Sequence, residues 1–262
     1  MTTPSSRELR PAPPCVTLAG VRFDALTRDG VVDRIFQNLA RGTGGWLLTA
    51  NLDIARQLAM EPGYAATCSG TTLTVADGMP LVWAAHLQGT PLPDRVAGSD
   101  LVWLIADRAA RESRSLYLLG GNPGAAEAAA ERFRARAPGL RIAGISSPRV
   151  ATDPTEEELA ALRAELLRAR PDIVYVALGS PKSERAIAAL RPHFPAIWFI
   201  GVGISLSFVA GEVRRAPRWM QRSGLEWLHR LAQEPGRLAR RYLVDDTGFL
   251  IRLIASAWRA RL

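Results

Sequence analysis

Asp77 stands in Ala76-Asp77-Gly78-Met79-Pro80, between a short apolar run, Leu73-Thr74-Val75, and the start of a helix. An aspartate there either caps the helix N-terminus or offers a carboxylate to a cleft as a general base. Arg95, in Pro93-Asp94-Arg95-Val96-Ala97-Gly98-Ser99-Asp100, suits a phosphate or a neighbouring acid. The turn Gly120-Gly121-Asn122-Pro123-Gly124 precedes an alanine-rich helix. It either presents free backbone N–H groups to an anion or simply connects a strand tightly to a helix. It is not G-x-G-x-x-G, and no Walker A sequence occurs. Further on, Arg215-Ala216-Pro217-Arg218-Trp219-Met220 and Gly224 to Pro235 alternate arginine, tryptophan and leucine at helical spacing. Such a helix lies on an anionic membrane and grips diphosphates, or it packs on its own domain with its arginines solvated.

These residues need elements to hold them. The chain of 262 residues is 48% hydrophobic and 22% charged, enough for one or two domains with a full core. The formal net charge is +8, which points to acidic partners. Residues 211–262 hold eleven arginines against five acids, so most of that charge is C-terminal. Cys15 and Cys68 lack metal-ligand spacing, and His86, His193 and His229 are scattered. No Asp-x-Asp is present, so no divalent-cation site for a nucleotide diphosphate is expected. No apolar h-region opens the chain and no segment is long enough to span a bilayer, so a cytosolic protein is expected.

Apolar strands at Trp46–Thr49, Leu73–Val75, Leu116–Leu119, Leu140–Ile145, Ile173–Leu178 and Ile197–Val202 alternate with helices, among them Ala125–Arg136, Thr155–Arg170 and Pro181–Leu190. This predicts βαβ units and a mostly parallel sheet. Ligands then bind beyond the carboxyl ends of the strands. Five polar or glycine-rich turns fall there: Thr49–Asp53, Asp77–Pro80, Gly120–Gly124, Gly179–Arg185 and Gly201–Ser207. Pro217 and Pro235 suit the first turns of two helices, and Thr247 suits the cap of a last one.

With these blocks assembled, the chain resembles the WecG/TagA/CpsF glycosyltransferase family. The resemblance runs from about Thr17 to Leu243 and rests on Thr49-Ala50-Asn51, Ala76-Asp77-Gly78-Met79-Pro80, Arg95 to Asp100, Leu118-Leu119-Gly120-Gly121, Gly179-Ser180-Pro181-Lys182, Arg215-Ala216-Pro217 and Gly224-Leu225-Glu226-Trp227. It implies an inverting, metal-independent transferase without a cofactor. The implied substrates are a UDP-sugar and an undecaprenyl-diphosphate-linked sugar, used in cell-wall polymer or exopolysaccharide synthesis. It also implies a peripheral position on the inner face of the plasma membrane, an anionic membrane surface as partner, and no nucleic acid. By the same likeness Asp77 is the base, Thr49 and Arg95 line its pocket, and Arg230, Arg237 and Arg240 meet a diphosphate. Asn51, Gly120, Gly121, Gly179, Pro181, Ser183, Glu184 and Ser207 are the remaining expected substrate positions. Two of them depart from the family pattern: Ser183 stands where Gln is usual in Pro-x-Gln-Glu, and Ser207 where Asp is usual in the Gly-Val-Gly segment. Both substitutions leave the donor sugar open among N-acetylmannosamine, glucose and a uronic acid.

The expected architecture is α/β: a tail over residues 1–16, a Rossmann-like sheet with helices on both faces over 17–210, and a basic helical appendage over 211–262. The sheet is expected to stay folded without that appendage. Rival readings are an inactive relative, a nucleotide-dependent oxidoreductase and a nucleic-acid-binding protein. Oligomeric state, homo-oligomers included, is left open.

Overall fold

The structure, a computed structural model, describes residues 13–261, apart from the side chains of residues 222 and 237. Six strands form one sheet: β3 (Gly45–Ala50), β4 (Leu73–Ala76), β5 (Ser115–Gly120), β6 (Arg141–Ser146), β7 (Ile173–Ala177) and β8 (Trp198–Gly201). Their order is β4-β3-β8-β7-β5-β6, and every ladder is parallel. All residues of β3, β5 and β7 are buried, as a parallel sheet covered on both faces requires.

One face carries α2 (Leu52–Met60), α3 (Pro62–Cys68), α4 (Met79–Gln88), α7 (Glu156–Ala169) and α8 (Lys182–Leu190), which pack with Trp46, Leu48 and Phe199. The other carries α1 (Arg28–Ala40), α5 (Gly98–Arg111), α6 (Ala125–Arg136) and α9 (Ser205–Ala210), around Leu47, Leu118 and Trp198. Local signals set several of the starts. The Thr27 hydroxyl accepts from Gly30 N at the head of α1, and Thr155 with Glu158 forms a full capping box on α7.

The tail expected over residues 1–16 needs correction at its end. Cys15 and Val16 belong to β1 (Cys15–Leu18), which pairs antiparallel with β2 (Val21–Asp24). The two residues between them, Ala19 and Gly20, both take positive φ, the geometry of a tight hairpin turn. Val16, Leu18, Val21 and Phe23 point inward, and the buried Asp24 carboxylate accepts from Thr74 N at 2.8 Å, which fastens the hairpin beside β4.

After residue 210 come α10 (Arg218–Arg222), α11 (Glu226–Gln233), α12 (Pro235–Arg240), a π-helical turn (Arg241–Asp245) and α13 (Asp246–Arg261). Pro235 opens α12 as expected, whereas Pro217 is the residue just before α10. Thr247 does not cap α13 but lies inside it, its hydroxyl donating back to the carbonyls of Tyr242 and Leu243. Phe249, Leu253 and Ala257 of α13 are buried in the same core as Leu81, Ala84 and Ala85 of α4. This last helix is therefore part of the sheet's own core, and removing residues 211–262 would uncover α4.

Leu253→Ala should cost about 2–5 kcal/mol in urea unfolding, the range for an emptied leucine site. Ile251→Ala, on the exposed side of the same helix, should change stability by less than about 0.5 kcal/mol. Equal small effects would show that α13 is not a core helix.

Candidate active site

The carboxyl ends of the strands open into one cleft of about 1370 Å³. Thr49 lies in the last two residues of β3, Asp77 follows β4, Leu178 and Gly179 follow β7, and Val202 and Gly203 follow β8; all line it. Gly121 and Asn122 after β5 close one end. The opposite wall comes from the C-terminal helices through Leu225, Glu226, Trp227, Arg230, Arg241, Tyr242 and Leu250.

Asp77 sits on the cleft floor, half-buried. Gly78, not Asp77, is the N-cap of α4, and no side chain caps that helix. The Asp77 carboxylate instead faces the head of α5, where Gly98 N donates to it at a long 3.4 Å. Among the described residues Asp77 forms no ion pair. Burial pushes its pKa up to about 6; Arg95 opposes the rise, Glu226 adds to it, and the Gly98 N–H and Arg215 pull it back. Arg95 is held close by its backbone neighbour, since Val96 N donates to Ala76 O at 2.8 Å. Its guanidinium donates to Glu226 at 2.9 Å, and Arg215 reaches the other Glu226 oxygen at 3.4 Å and also pairs with Asp100. Thr49 is buried beside them and donates to Gly201 O at 3.3 Å. A Cβ at position 98 would lie 3.1 Å from the Thr49 hydroxyl, so glycine there lets α5 start against β3.

A second charged group lines the same cleft near α2. Asn51 caps α2 by accepting from Ile54 N at 3.0 Å and also accepts from Arg241 at 3.3 Å. Asp53 pairs with Arg241 at 3.0 Å and with Arg56 at 2.9 Å. Asp246 is buried beside both arginines, and burial with nearby Asp53 pushes its pKa up to about 6. Glu184, buried at the head of α8, has one oxygen without a partner; burial pushes it up to about 7 against hydrogen bonds from its own backbone and Ser180. Ser183 accepts from Leu178 N at 3.2 Å, so its hydroxyl steadies the strand-end turn.

Of the expected positions, the cleft gathers Thr49, Asn51, Asp77, Arg95, Gly121, Gly179, Ser183, Glu184, Ser207 and Arg230. Gly120, Pro181 and Arg240 do not line it. A Cβ on Gly120 would meet the Ala177 carbonyl at 2.8 Å, so this glycine serves strand packing. Pro181 is the residue before α8, joined to Ser180 by a cis bond, and Arg240 is exposed. The Arg237 side chain lies outside the described residues. Sequence reasoning missed Asp53, Glu226, Arg241 and Asp246. Glu226 stood inside a quoted motif; Arg241 lies in a π-helical turn, which shifts the register of any helical pattern.

The Asp77 environment makes a stability prediction. Its folded pKa of about 6 lies above the ordinary 3.8, so the native state holds the proton more tightly. Stability is then lost as pH rises from about 4 through 6, and the penalty is complete at neutral pH. Asp77→Asn should gain about 1–3 kcal/mol at pH 7 and nothing below pH 4 in denaturant titrations. A variant destabilised at pH 7 would contradict this environment.

A family model for the glycosyl transferase WecG/TagA/CpsF family matches residues 16–262. The N-acetylglucosaminyldiphosphoundecaprenol N-acetyl-beta-D-mannosaminyltransferase of Bacillus spizizenii is 33% identical over 202 residues, 77% of this chain and 76% of its own. The enzymes of the same name from Bacillus subtilis and Staphylococcus aureus are 30% identical over 197 residues (75% of each chain) and 28% identical over 227 residues (86% of this chain, 87% of the relative). With a match over nearly its whole length and this similarity to characterised transferases, the chain belongs to the WecG/TagA/CpsF family of glycosyltransferases.

Proposed function

We propose that the protein is an inverting, metal-independent glycosyltransferase that moves a sugar from a UDP-sugar onto an undecaprenyl-diphosphate-linked sugar. The observation that carries the reading is Asp77: a carboxylate on the cleft floor with no ion pair among the described residues and a pKa raised to about 6. At neutral pH such a group is mostly ionised yet more basic than an ordinary aspartate, which suits a general base. Asp77 takes the proton of an acceptor hydroxyl as its oxygen bonds to the donor's anomeric carbon. The carbon–oxygen bond to UDP breaks on the opposite face. The leaving diphosphate needs cationic partners at the moment of bond breaking. Arg230 lines the cleft with a buried Nε that has no hydrogen-bond partner among the described residues.

The acceptor class follows the relatives, whose names specify a lipid diphosphate. The surface agrees with a substrate kept in a bilayer. Leu243, Val244, Ile251, Ile254 and Trp258 are exposed around the π-helical turn and α13, and Leu243 and Leu250 continue that apolar surface into the cleft. Arg252, Arg259 and Arg261 lie on the same helix, a composition suited to anionic lipid. Among the described residues no helix is long and apolar enough to cross a membrane. The donor is a UDP-sugar. Ser183 and Ser207 line the cleft with short hydroxyls, so the donor stays open among N-acetylmannosamine, glucose and a uronic acid, and a screen of UDP-sugars identifies it.

In EDTA-containing buffer with saturating donor and acceptor, the wild-type protein should turn over, and Asp77→Asn should lose about 10²–10⁴ in kcat. Turnover that returns only with added magnesium, or an Asp77→Asn variant at wild-type rate, would overturn the mechanism. Ile251→Glu combined with Trp258→Glu should reduce binding to vesicles of anionic phospholipid by at least about tenfold. Turnover of a short-chain, water-soluble acceptor should stay near normal. Unchanged sedimentation with vesicles would place membrane contact elsewhere.

A further inference from the structure

Glu226 opens α11 and reaches back across the cleft to two arginines on different segments. One of its oxygens accepts from Arg95 at 2.9 Å, the other lies 3.4 Å from Arg215. Arg215 in turn pairs with Asp100 of α5, which lies 3.8 Å from Arg28 of α1. The four side chains Arg95, Glu226, Arg215 and Asp100 are each less than a quarter exposed, so solvent screens these pairs weakly. Arg95 is the member of this chain that sits beside the base. Its backbone neighbour Val96 is bonded to Ala76, the residue before Asp77, and Gly98 N donates to the Asp77 carboxylate itself. Without Glu226, Arg95 has Asp77 as an alternative carboxylate partner, since its charge already acts on Asp77 across the cleft floor.

We propose that Glu226 is a positioning residue: by engaging Arg95 and Arg215 it keeps the Arg95 guanidinium from closing on Asp77 and leaves that carboxylate open to the acceptor hydroxyl. The inference rests on the reading of Asp77 as the base. A direct Arg95–Asp77 pair would tie up the oxygens that must receive the proton and would make the carboxylate a weaker base. The charged groups facing Asp77 are Arg95 from the loop before α5, Glu226 from α11 and Arg215 from the segment after α9. Asp100 and Arg28 act on it only through Arg215. Glu226 also ties the C-terminal wall of the cleft to the catalytic floor, so the base reaches its working state only with that wall in place.

The test is a ¹³C NMR titration of the Asp77 carboxyl, assigned by its loss in Asp77→Asn, in the wild type, Glu226→Gln and Arg95→Met. Glu226→Gln removes a like charge and frees Arg95, so the Asp77 midpoint should fall by about one pH unit. Arg95→Met removes the opposing cation, so the midpoint should rise. Shifts of opposite sign do not arise from a general loosening of the fold. The acid limb of kcat/KM should follow each midpoint. A midpoint unchanged or raised in Glu226→Gln overturns the proposal, as does one that fails to rise in Arg95→Met, which decides the matter alone if the glutamine variant does not fold. Midpoints that move as expected while the kinetic limb stays fixed would keep the electrostatic link from Glu226 through Arg95 to Asp77 but overturn Asp77 as the base, and with it the positioning role.

Discussion

Six strands running the same way through a sheet covered on both faces is the constraint on which the rest depends. With β3, β5 and β7 wholly buried, none of the three carries a charged side chain, and the charged groups are left to the segments beyond the strand ends. Because the strands are parallel, those ends reach one edge. Thr49, Asp77, Gly179 and Gly203, up to 154 positions apart in sequence (roughly), become neighbours on one floor as a result of backbone pairing alone. The C-terminal helices supply the other wall, and α13 is held there by Phe249, Leu253 and Ala257 in the core shared with α4.

The cleft stores electrostatic cost where chemistry is expected. Asp77, Glu184 and Asp246 all titrate above the ordinary carboxylate range, chiefly through burial. Each makes the folded state less stable at neutral pH than a neutral isostere would. The large core offsets this. Around the cleft the acids are mostly matched to arginines: Asp53 with Arg56 and Arg241, Glu226 with Arg95 and Arg215. Arg230, whose buried Nε has no partner among the described residues, is the arginine that the proposed function assigns to the anionic ligand. In the proposed reaction the lipid diphosphate would enter past Leu243 and Leu250, which line the cleft along with Asp77.

Much of this was legible in the sequence because apolar runs in a parallel sheet are continuous and their ends are punctuated. Helix α6 begins and ends where the Gly124 turn and Arg136 suggested. The hairpin of β1 and β2 was not read, since four-residue strands around Ala19-Gly20 carry neither a long alternation nor an Asn-Gly turn. Helix α5 was hidden because Ala97 offers no capping side chain and its first residues were absorbed into the Arg95 block. The floor of the site was readable from strand-end turns. The wall was less so: Arg241 and Asp246 meet Asp53 across 188 and 193 positions (about), through a π-helical turn that no helical periodicity anticipates. Gly120 shows the opposite case, a motif glycine outside the cleft lining whose missing Cβ makes room for the Ala177 carbonyl.

Direct displacement by an acceptor oxygen activated at Asp77, entering opposite UDP, inverts the anomeric carbon. The anomeric configuration of the product formed by the purified protein, read by ¹H NMR from an α-linked UDP-sugar, tests it most directly. A β-linked product, inverted from the donor, is the expected result. An α-linked product would contradict a single displacement from the face opposite UDP with Asp77 as its base.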